Sequence, residues 1–415
     1  MVGHGGGVGH TGRTERGSAY RRIPSGERVS EECAVKTYRS KDGNADLEEG
    51  CRLIGKVRFG PGCYVCSGAR LEALGRSSIL LGRDVFIGAN STLRADDSDV
   101  VLNDGVIVSS GCHINNLHTP GLPSTGPVTI GKQTVLDPNV IIGNNVNIGE
   151  RNYLGPGTRL EFYVRMGDRN RLTGCFIGLD PQDDAFYDEL DAVYQDREPG
   201  VTKDTWVHIG SRNRIREGVR ISRGTTKNPQ EDRPTVIGNR NLIMDNTHLG
   251  HDSVVGDYVR ITTGCKIGGH VRLDDWCVLA GSVKVNPFVH IGNCSYVTGN
   301  SGVDQDVLPY FKARGIDKGG ELARMTPLAN FRRINKMLRL THANYDEQET
   351  TRLNLALGRM SEHIRGTATL DQLLEEFPGF DMVARWVEFK LKSQEKQRPV
   401  ASEDDDALDH RIVPF

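Results

Sequence analysis

No stretch of this chain is long and apolar enough to cross a bilayer, and the first thirty residues, rich in glycine and arginine, lack the apolar centre of a secretion signal. Residues 1–45 are accordingly read as a disordered leader. An excess of one charge is also missing: 52 Lys and Arg against 54 Asp and Glu leave a formal net charge of -2, which offers no electrostatic footprint for nucleic acid. Cys63 and Cys66 form a CxxC with no second pair, so no zinc site is expected, and nine cysteines are an odd number. These absences leave a soluble protein of a reducing cytoplasm, with no membrane span. Its 415 residues suffice for more than one domain, although an elongated repeat fold can absorb that many as one.

What the chain has is a period of six. From Ile237 through Ile243, Leu249, Val255, Ile261 and Ile267 to Val303, every sixth residue is aliphatic. A second run in phase extends from Ile130 through Leu136, Ile142 and Ile148 to Leu172, and Phe59, Val65, Leu71, Ile87 and Leu93 look like an earlier, interrupted stretch. On an α-helix positions six apart point in different directions, and a flat strand needs a period of two. A β-sandwich would need turn signals every eight to twelve residues. The pattern fits a parallel β-helix of hexapeptide repeats, each a short strand ending in a turn, with the sixth residue pointing inward. Gly or Asp follows most of the aliphatics and is expected to supply the positive φ of a tight corner. Cys63, Cys265 and Cys277 fall at inward positions, where a small thiol packs well.

After Pro309 the period stops and helical patterning begins. Thr326-Pro327 reads as a helix start ahead of Phe331, Ile334 and Leu338. Leu353, Leu357, Met360 and Ile364 mark a second helix stopping at Gly366, Thr369 with Gln372 a capping box for a third, and Asp381 the start of a fourth through Val383, Trp386 and Val387. The expected organisation is a leader over 1–45, a β-helix with loop insertions over 46–310, a helical domain over 311–397 and an acidic tail over 398–415.

Three segments break the repeat, and function is expected there because a rigid coil positions the loops that leave its corners. They are Asn115 to Pro127, with His118; Leu179 to Trp206, with Gln182 and Asp183; and Arg223 to Pro234, with Lys227 and Arg233. If three hexapeptides make one coil, residue n lies beneath residue n+18, about 4.8 Å away. His251 then lies under Gly269 and Asp252 under His270. An imidazole beside a glycine backbone, with a carboxylate and a second imidazole nearby, suits general-base catalysis. The histidine takes a proton from a hydroxyl, the carboxylate fixes its tautomer, and a bare backbone N–H faces the developing oxyanion.

With those residues in view, the sequence resembles the acyl-ACP:UDP-N-acetylglucosamine 3-O-acyltransferase family of lipid A synthesis. The likeness runs from about Phe176 to Pro309. It rests on Gln182-Asp183, on Ile209-Gly-Ser-Arg-Asn-Arg-Ile-Arg-Glu217, Arg223-Gly-Thr and Asn246-Thr-His-Leu-Gly-His-Asp252, and on Gly269-His270 and Ser301-Gly-Val-Asp-Gln-Asp-Val307. The resemblance implies a left-handed parallel β-helix with a C-terminal α-helical domain, assembled as a homotrimer with active sites between subunits. It further implies transfer of an acyl chain from acyl carrier protein to a nucleotide sugar, with no cofactor or metal. By resemblance His251 is the general base, Asp252 its orienting partner and Gly269 the oxyanion donor. His248, His270, Gln182 and Asp183 are substrate contacts, Gly299 gauges acyl length, and Arg332 and Arg333 match a basic pair on the first tail helix.

The chain departs from the family pattern in places. Asp184, Ala185 and Phe186 stand where a lysine follows the Gln-Asp pair, Ser222 and Asn286 stand where the family has histidines, and the coil before Phe176 is longer. These departures touch the sugar-nucleotide side and spare the base. Three other readings stay open. His118 with Gly126-Pro-Val-Thr-Ile-Gly131 resembles acetyl-CoA-dependent hexapeptide acetyltransferases, although Leu136 replaces their usual tryptophan. A histidine-bound zinc would follow the γ-class carbonic anhydrases. A trimeric scaffold would only display loops.

Overall fold

The computed structural model of the protein describes residues 37–39, 44–96, 98–116, 126–183, 205–225, 234–314, 324–327, 347–364, 368–378 and 381–397. Strands of two to four residues alternate with corners, and every third strand joins the same sheet, giving sheets of fifteen, twelve and eleven strands among these residues. The three sheets are the faces of a left-handed parallel β-helix: the six-residue period implies the parallel β-helix, and the family resemblance implies its hand. The first face holds Cys63–Val65 and Val278–Leu279, the second His248–Leu249, and the third Val254–Val255.

Within the regular part the register is eighteen residues per coil: His248 pairs with Lys266, Leu249 with Ile267, and Val254 with Arg272. The aliphatic columns, Ile243, Leu249, Ile261, Ile267 and Leu279 among them, are fully buried, and so are Cys63, Cys265 and Cys277. The two-residue strands, such as His248–Leu249, bury one side chain each. The period is six because each strand and its corner together use six residues.

The glycines that follow the aliphatics serve a different purpose from the one expected. The positive φ falls two positions later, on Asn139, Asn145, Arg169, Asp252, His270 and their equivalents. The glycines are there because the next coil lies too close for a side chain. A Cβ on Gly250 would sit 2.7 Å from the backbone of Gly268 and Gly269, and one on Gly143 would fall inside the carbonyl of Glu161. Close approach, not handedness, excludes larger residues there.

Where polar side chains are buried at a corner, they stack. Asn152, Asn170, Asn213 and Asn241 form a column in which each side-chain oxygen accepts the backbone N–H of the residue one coil on, at 2.7 Å (Asn170 to Asn152) and 2.8 Å (Asn213 to Asn170, Asn241 to Asn213). Their amide groups donate to glycine carbonyls, for example Gly238 and Gly256, so the buried polar atoms are satisfied.

The three breaks in the period are insertions into an otherwise continuous ladder. Val100–Leu102 pairs with Val128–Ile130, Val164–Met166 with Val207–Ile209, and the latter with Thr235–Ile237. All three leave the coil between the second and third faces, so they emerge along one edge. His118, Lys227 and Arg233 lie outside the described residues.

Both ends of the first face carry an antiparallel strand. Thr37–Arg39, inside the stretch read as leader, pairs with Ala45–Glu48. Arg324–Pro327 pairs with Phe311–Arg314, matching Lys312 with Thr326. Thr326 and Pro327 themselves close the strand Arg324–Pro327, and the residues that directly follow them lie outside the described residues. A proline at the end of a strand gives up no ladder bond on its open side, so the same dipeptide serves an edge equally well. Phe331, Ile334 and Leu338 lie outside the described residues, as do Arg332 and Arg333.

Three helices follow among the described residues: α1 (Glu347–Ile364), α2 (Leu370–Glu376) and α3 (Asp381–Gln397). The capping box of α2 forms as the sequence implies, with Thr369 accepting from the Gln372 N–H at 3.2 Å and the Gln372 side chain accepting from the Thr369 N–H at 2.8 Å. Leu357, Met360, Leu373, Val383, Trp386 and Val387 build a second core against Trp276, Tyr310 and Phe311 of the coil.

Coil spacing leads to a direct expectation. Gly143→Ala, whose Cβ meets fixed backbone, lowers stability by about 1–3 kcal/mol, the usual cost of overpacking. Gly302→Ala, where a Cβ meets nothing within 4 Å, leaves the melting temperature nearly unchanged. Equal thermal melts for the two variants would contradict this account of the glycines.

Candidate active site

The second-to-third-face edge carries the residues singled out by stacking. Leu249 anchors the end of its strand in the core, Gly250 passes close to the next coil, His251 follows, and Asp252 takes the left-handed corner at φ 55°. Aspartate tolerates that backbone because its short side chain is satisfied locally. The side chain bends back so that Oδ2 lies 2.8 Å from His251 Nδ1. Thr225, at the base of the third insertion, donates its N–H to Oδ1 at 2.9 Å and its hydroxyl to Oδ2 at 2.7 Å.

Only 1% of the Asp252 side chain is exposed. Burial alone would push its pKa up, but the hydrogen bonds from His251 and Thr225 and the nearby His270 outweigh it and hold the carboxyl below its ordinary value. An ionised Asp252 keeps the proton of His251 on Nδ1 and turns the Nε2 lone pair outward.

Gly269 lies where the eighteen-residue rule puts it. A Cβ on Gly269 would be 2.7 Å from both Cε1 and Nε2 of His251, so the bare face of this glycine lies against the outer edge of the imidazole. The His270 N–H donates to the His251 carbonyl at 2.9 Å, its Nε2 is 3.6 Å from Asp252 Oδ2, and the two rings meet edge to face with centroids 5.1 Å apart. His248 stands between Arg220 and Lys266 on neighbouring coils. Burial first, then those two cations and His251, hold its pKa below the ordinary value and keep it neutral at pH 7.

Gln182 and Asp183 are on the same edge, Gln182 exposed and Asp183 half-buried, just beyond the strand Phe176–Leu179. That strand is two steps along the ladder from Leu249, through Ile221, which places the pair about 10 Å from the His251 level. Gly299 is elsewhere: it follows Tyr296–Val297 at the corner after the first face, and its open side faces the Gly281 carbonyl at 3.2 Å. One chain thus gathers His248, His251, Asp252, Gly269 and His270, sets Gln182 and Asp183 farther along, and leaves Gly299 apart.

Two neighbours escaped the sequence reading. Phe288, one coil beyond His270, stacks on its ring at 4.5 Å and is 68% exposed; adding eighteen to His270 would have found it. Thr225 belongs to the Arg223-Gly-Thr motif, but its contact crosses an insertion of variable length, and spacing cannot reveal that.

His251, Asp252 and His270 also form a group of donors close enough to be tested as metal ligands. Two ligand atoms on a tetrahedral zinc lie about 3.3 Å apart. Here His251 Nδ1 and Asp252 Oδ2 are 2.8 Å apart, and the same oxygen takes the Thr225 hydroxyl. In this arrangement His251 and Asp252 share a proton, closer together than two ligands of one zinc ion. In the CxxC, burial and then Glu48 push the Cys66 thiol up to about 11, which makes it a poor thiolate.

Residues 127–161 and 234–269 match the model of the bacterial transferase hexapeptide family (six repeats). Those coils are similar to hexapeptide transferase repeats. A curated acyl-[acyl-carrier-protein]--UDP-N-acetylglucosamine O-acyltransferase from Vibrio atlanticus is 47% identical over 121 residues, 29% of this chain and 45% of its own length. The similarly named protein of Synechocystis sp. is 34% identical over 142 residues, 34% of this chain and 45% of its own. The chain thus spans about half the length of the curated relatives it matches. A solved structure from Bacteroides fragilis 9343, described as a UDP-N-acetylglucosamine acyltransferase, shares the fold, with a TM-score of 0.52 and 23% identity over 67% of this chain and 98% of its own.

The Asp252 carboxyl also contributes to stability. Its folded pKa lies below the unfolded value of about 3.9, so its contribution is complete above that value and is lost as pH falls through the folded pKa. The melting temperature of the unmodified protein should fall more steeply than that of Asp252→Asn between about pH 5 and pH 2. Parallel curves would mean that the carboxylate is not held as described.

Proposed function

We propose that this chain is an O-acyltransferase that moves an acyl group from acyl carrier protein to a hydroxyl of UDP-N-acetylglucosamine or a related nucleotide sugar. The observation that carries the reading is the outer edge of His251, fixed from behind by Asp252 and facing the bare backbone of Gly269. The names of the curated relatives support the donor and the acceptor class.

In this reading His251 Nε2 takes the proton of the acceptor hydroxyl as its oxygen attacks the thioester carbonyl. Negative charge gathers on the carbonyl oxygen, where the Gly269 N–H steadies it. The C–S bond then breaks, and the departing thiolate of the carrier takes the proton back from His251. Asp252 stays ionised throughout and stabilises the imidazolium. His248, neutral, and His270 hydrogen-bond the sugar, while Gln182 and Asp183 hold the acceptor farther along the edge. Ser222, buried, and Asn286 stand in place of two family histidines, which points to an altered acceptor sugar. Gly299, with no side chain, leaves room for a longer acyl tail. It lies on a different corner, so a homotrimer, in which an adjacent subunit supplies that corner, belongs to the proposal, as does a cytoplasmic setting.

With acyl-acyl carrier protein and UDP-N-acetylglucosamine as substrates, His251→Ala should lower turnover about a hundredfold or more with an unchanged melting temperature. Unaltered turnover removes the general base, and no turnover or binding of either substrate by the unmodified protein favours a scaffold. Gly269→Ala, which drives a methyl into the imidazole, should cost about a hundredfold, as a displacement of about 1 Å does elsewhere. Full activity in that variant would show that the glycine face is not used.

A further inference from the structure

We infer that Thr225 is a positioning residue for the His251-Asp252 pair, holding the Asp252 carboxylate in the one rotation that presents Oδ2 to His251. This rests on the reading of His251 as general base. A carboxylate turns easily about its Cβ–Cγ bond. Here both oxygens are pinned from one residue, Oδ1 by the Thr225 N–H at 2.9 Å and Oδ2 by its hydroxyl at 2.7 Å. Thr225 and Asp252 are both buried, so water does not readily replace either bond.

The threonine is itself held. Arg223, two residues earlier, is 2.7 Å from Asp180 and donates to the Thr205 hydroxyl at 3.3 Å, its N–H donates to the Leu179 carbonyl at 2.9 Å, and the Gly224 N–H donates to the Trp206 carbonyl at 3.4 Å. The start of the third insertion is thereby tied to both ends of the second. Losing the hydroxyl leaves Oδ2 with one donor fewer, frees the carboxylate to rotate, and lets the imidazole spend time in the wrong tautomer or tilt. The ground-state contacts to substrate are untouched.

The test uses the full chain with acyl-acyl carrier protein and UDP-N-acetylglucosamine. Thr225→Val and the smaller Thr225→Ala should each lower kcat about tenfold with KM within about twofold, and Thr225→Ser should restore most of it. In an Asp252→Ala background Thr225→Ala should cost nothing further, because the group it positions is gone. A structural role would give a multiplied loss in the double variant and no selective rescue by serine. If Thr225→Val does not fold, Thr225→Ala and Thr225→Ser decide. Unchanged kcat in folded Thr225→Ala, or multiplied losses, overturns the positioning role while leaving the general base in place. Turnover retained in His251→Ala overturns the general base and this role with it.

Discussion

The peptide hydrogen bond between successive coils is the constraint from which the rest follows. It fixes the rise at one strand spacing and, where no insertion intervenes, the circumference at eighteen residues, as the pairing of Leu249 with Ile267 shows. Once both are fixed, any two residues eighteen apart are neighbours. The core column, the asparagine stack and the contact of His251 with Gly269 are three expressions of that one repeat. The geometry of the candidate site then needs no special folding event. It needs the right side chains at adjacent heights on one edge.

Within each corner the labour is divided by geometry. Where a glycine such as Gly143 or Gly250 follows the aliphatic, the next backbone is too close for a side chain, and the position two further on bears the left-handed turn. At most corners that slot holds a residue such as Asn139 or Arg169, with no partner of chemical interest. At the edge between the second and third faces it holds Asp252 and, one coil on, His270. Both side chains of the candidate site thus sit where the main chain turns and are aimed by it, with few rotatable bonds left to freeze. The price is a left-handed backbone under each, which Thr225 and the His251 carbonyl help to offset.

Much of this was legible from spacing. Ile237 to Val303 announced the fold, and adding eighteen placed Gly269 and His270 correctly. The corner glycines were noticed for the wrong reason, because a glycine kept by crowding and one kept by handedness look alike in a sequence. The strand that ends at Thr326-Pro327 was not legible, since only its partner Phe311–Arg314 shows that an edge strand stands there. Thr225 and Gly299 mark the limit of the method. An insertion separates Thr225 from Asp252, so no count along the chain joins them. Gly299 belongs to another corner, which a count within one chain can place but cannot bring to His251.

The reversed strands at the two ends of the first face have a further consequence. A stack of identical coils is in principle open-ended, since its last rung offers the same unpaired amides and carbonyls as any other. Thr37–Arg39 and Arg324–Pro327 run against the grain of the strands they cover. Another copy arriving end-on would meet a reversed strand on that face, so the parallel ladder cannot simply be continued there from one molecule to the next.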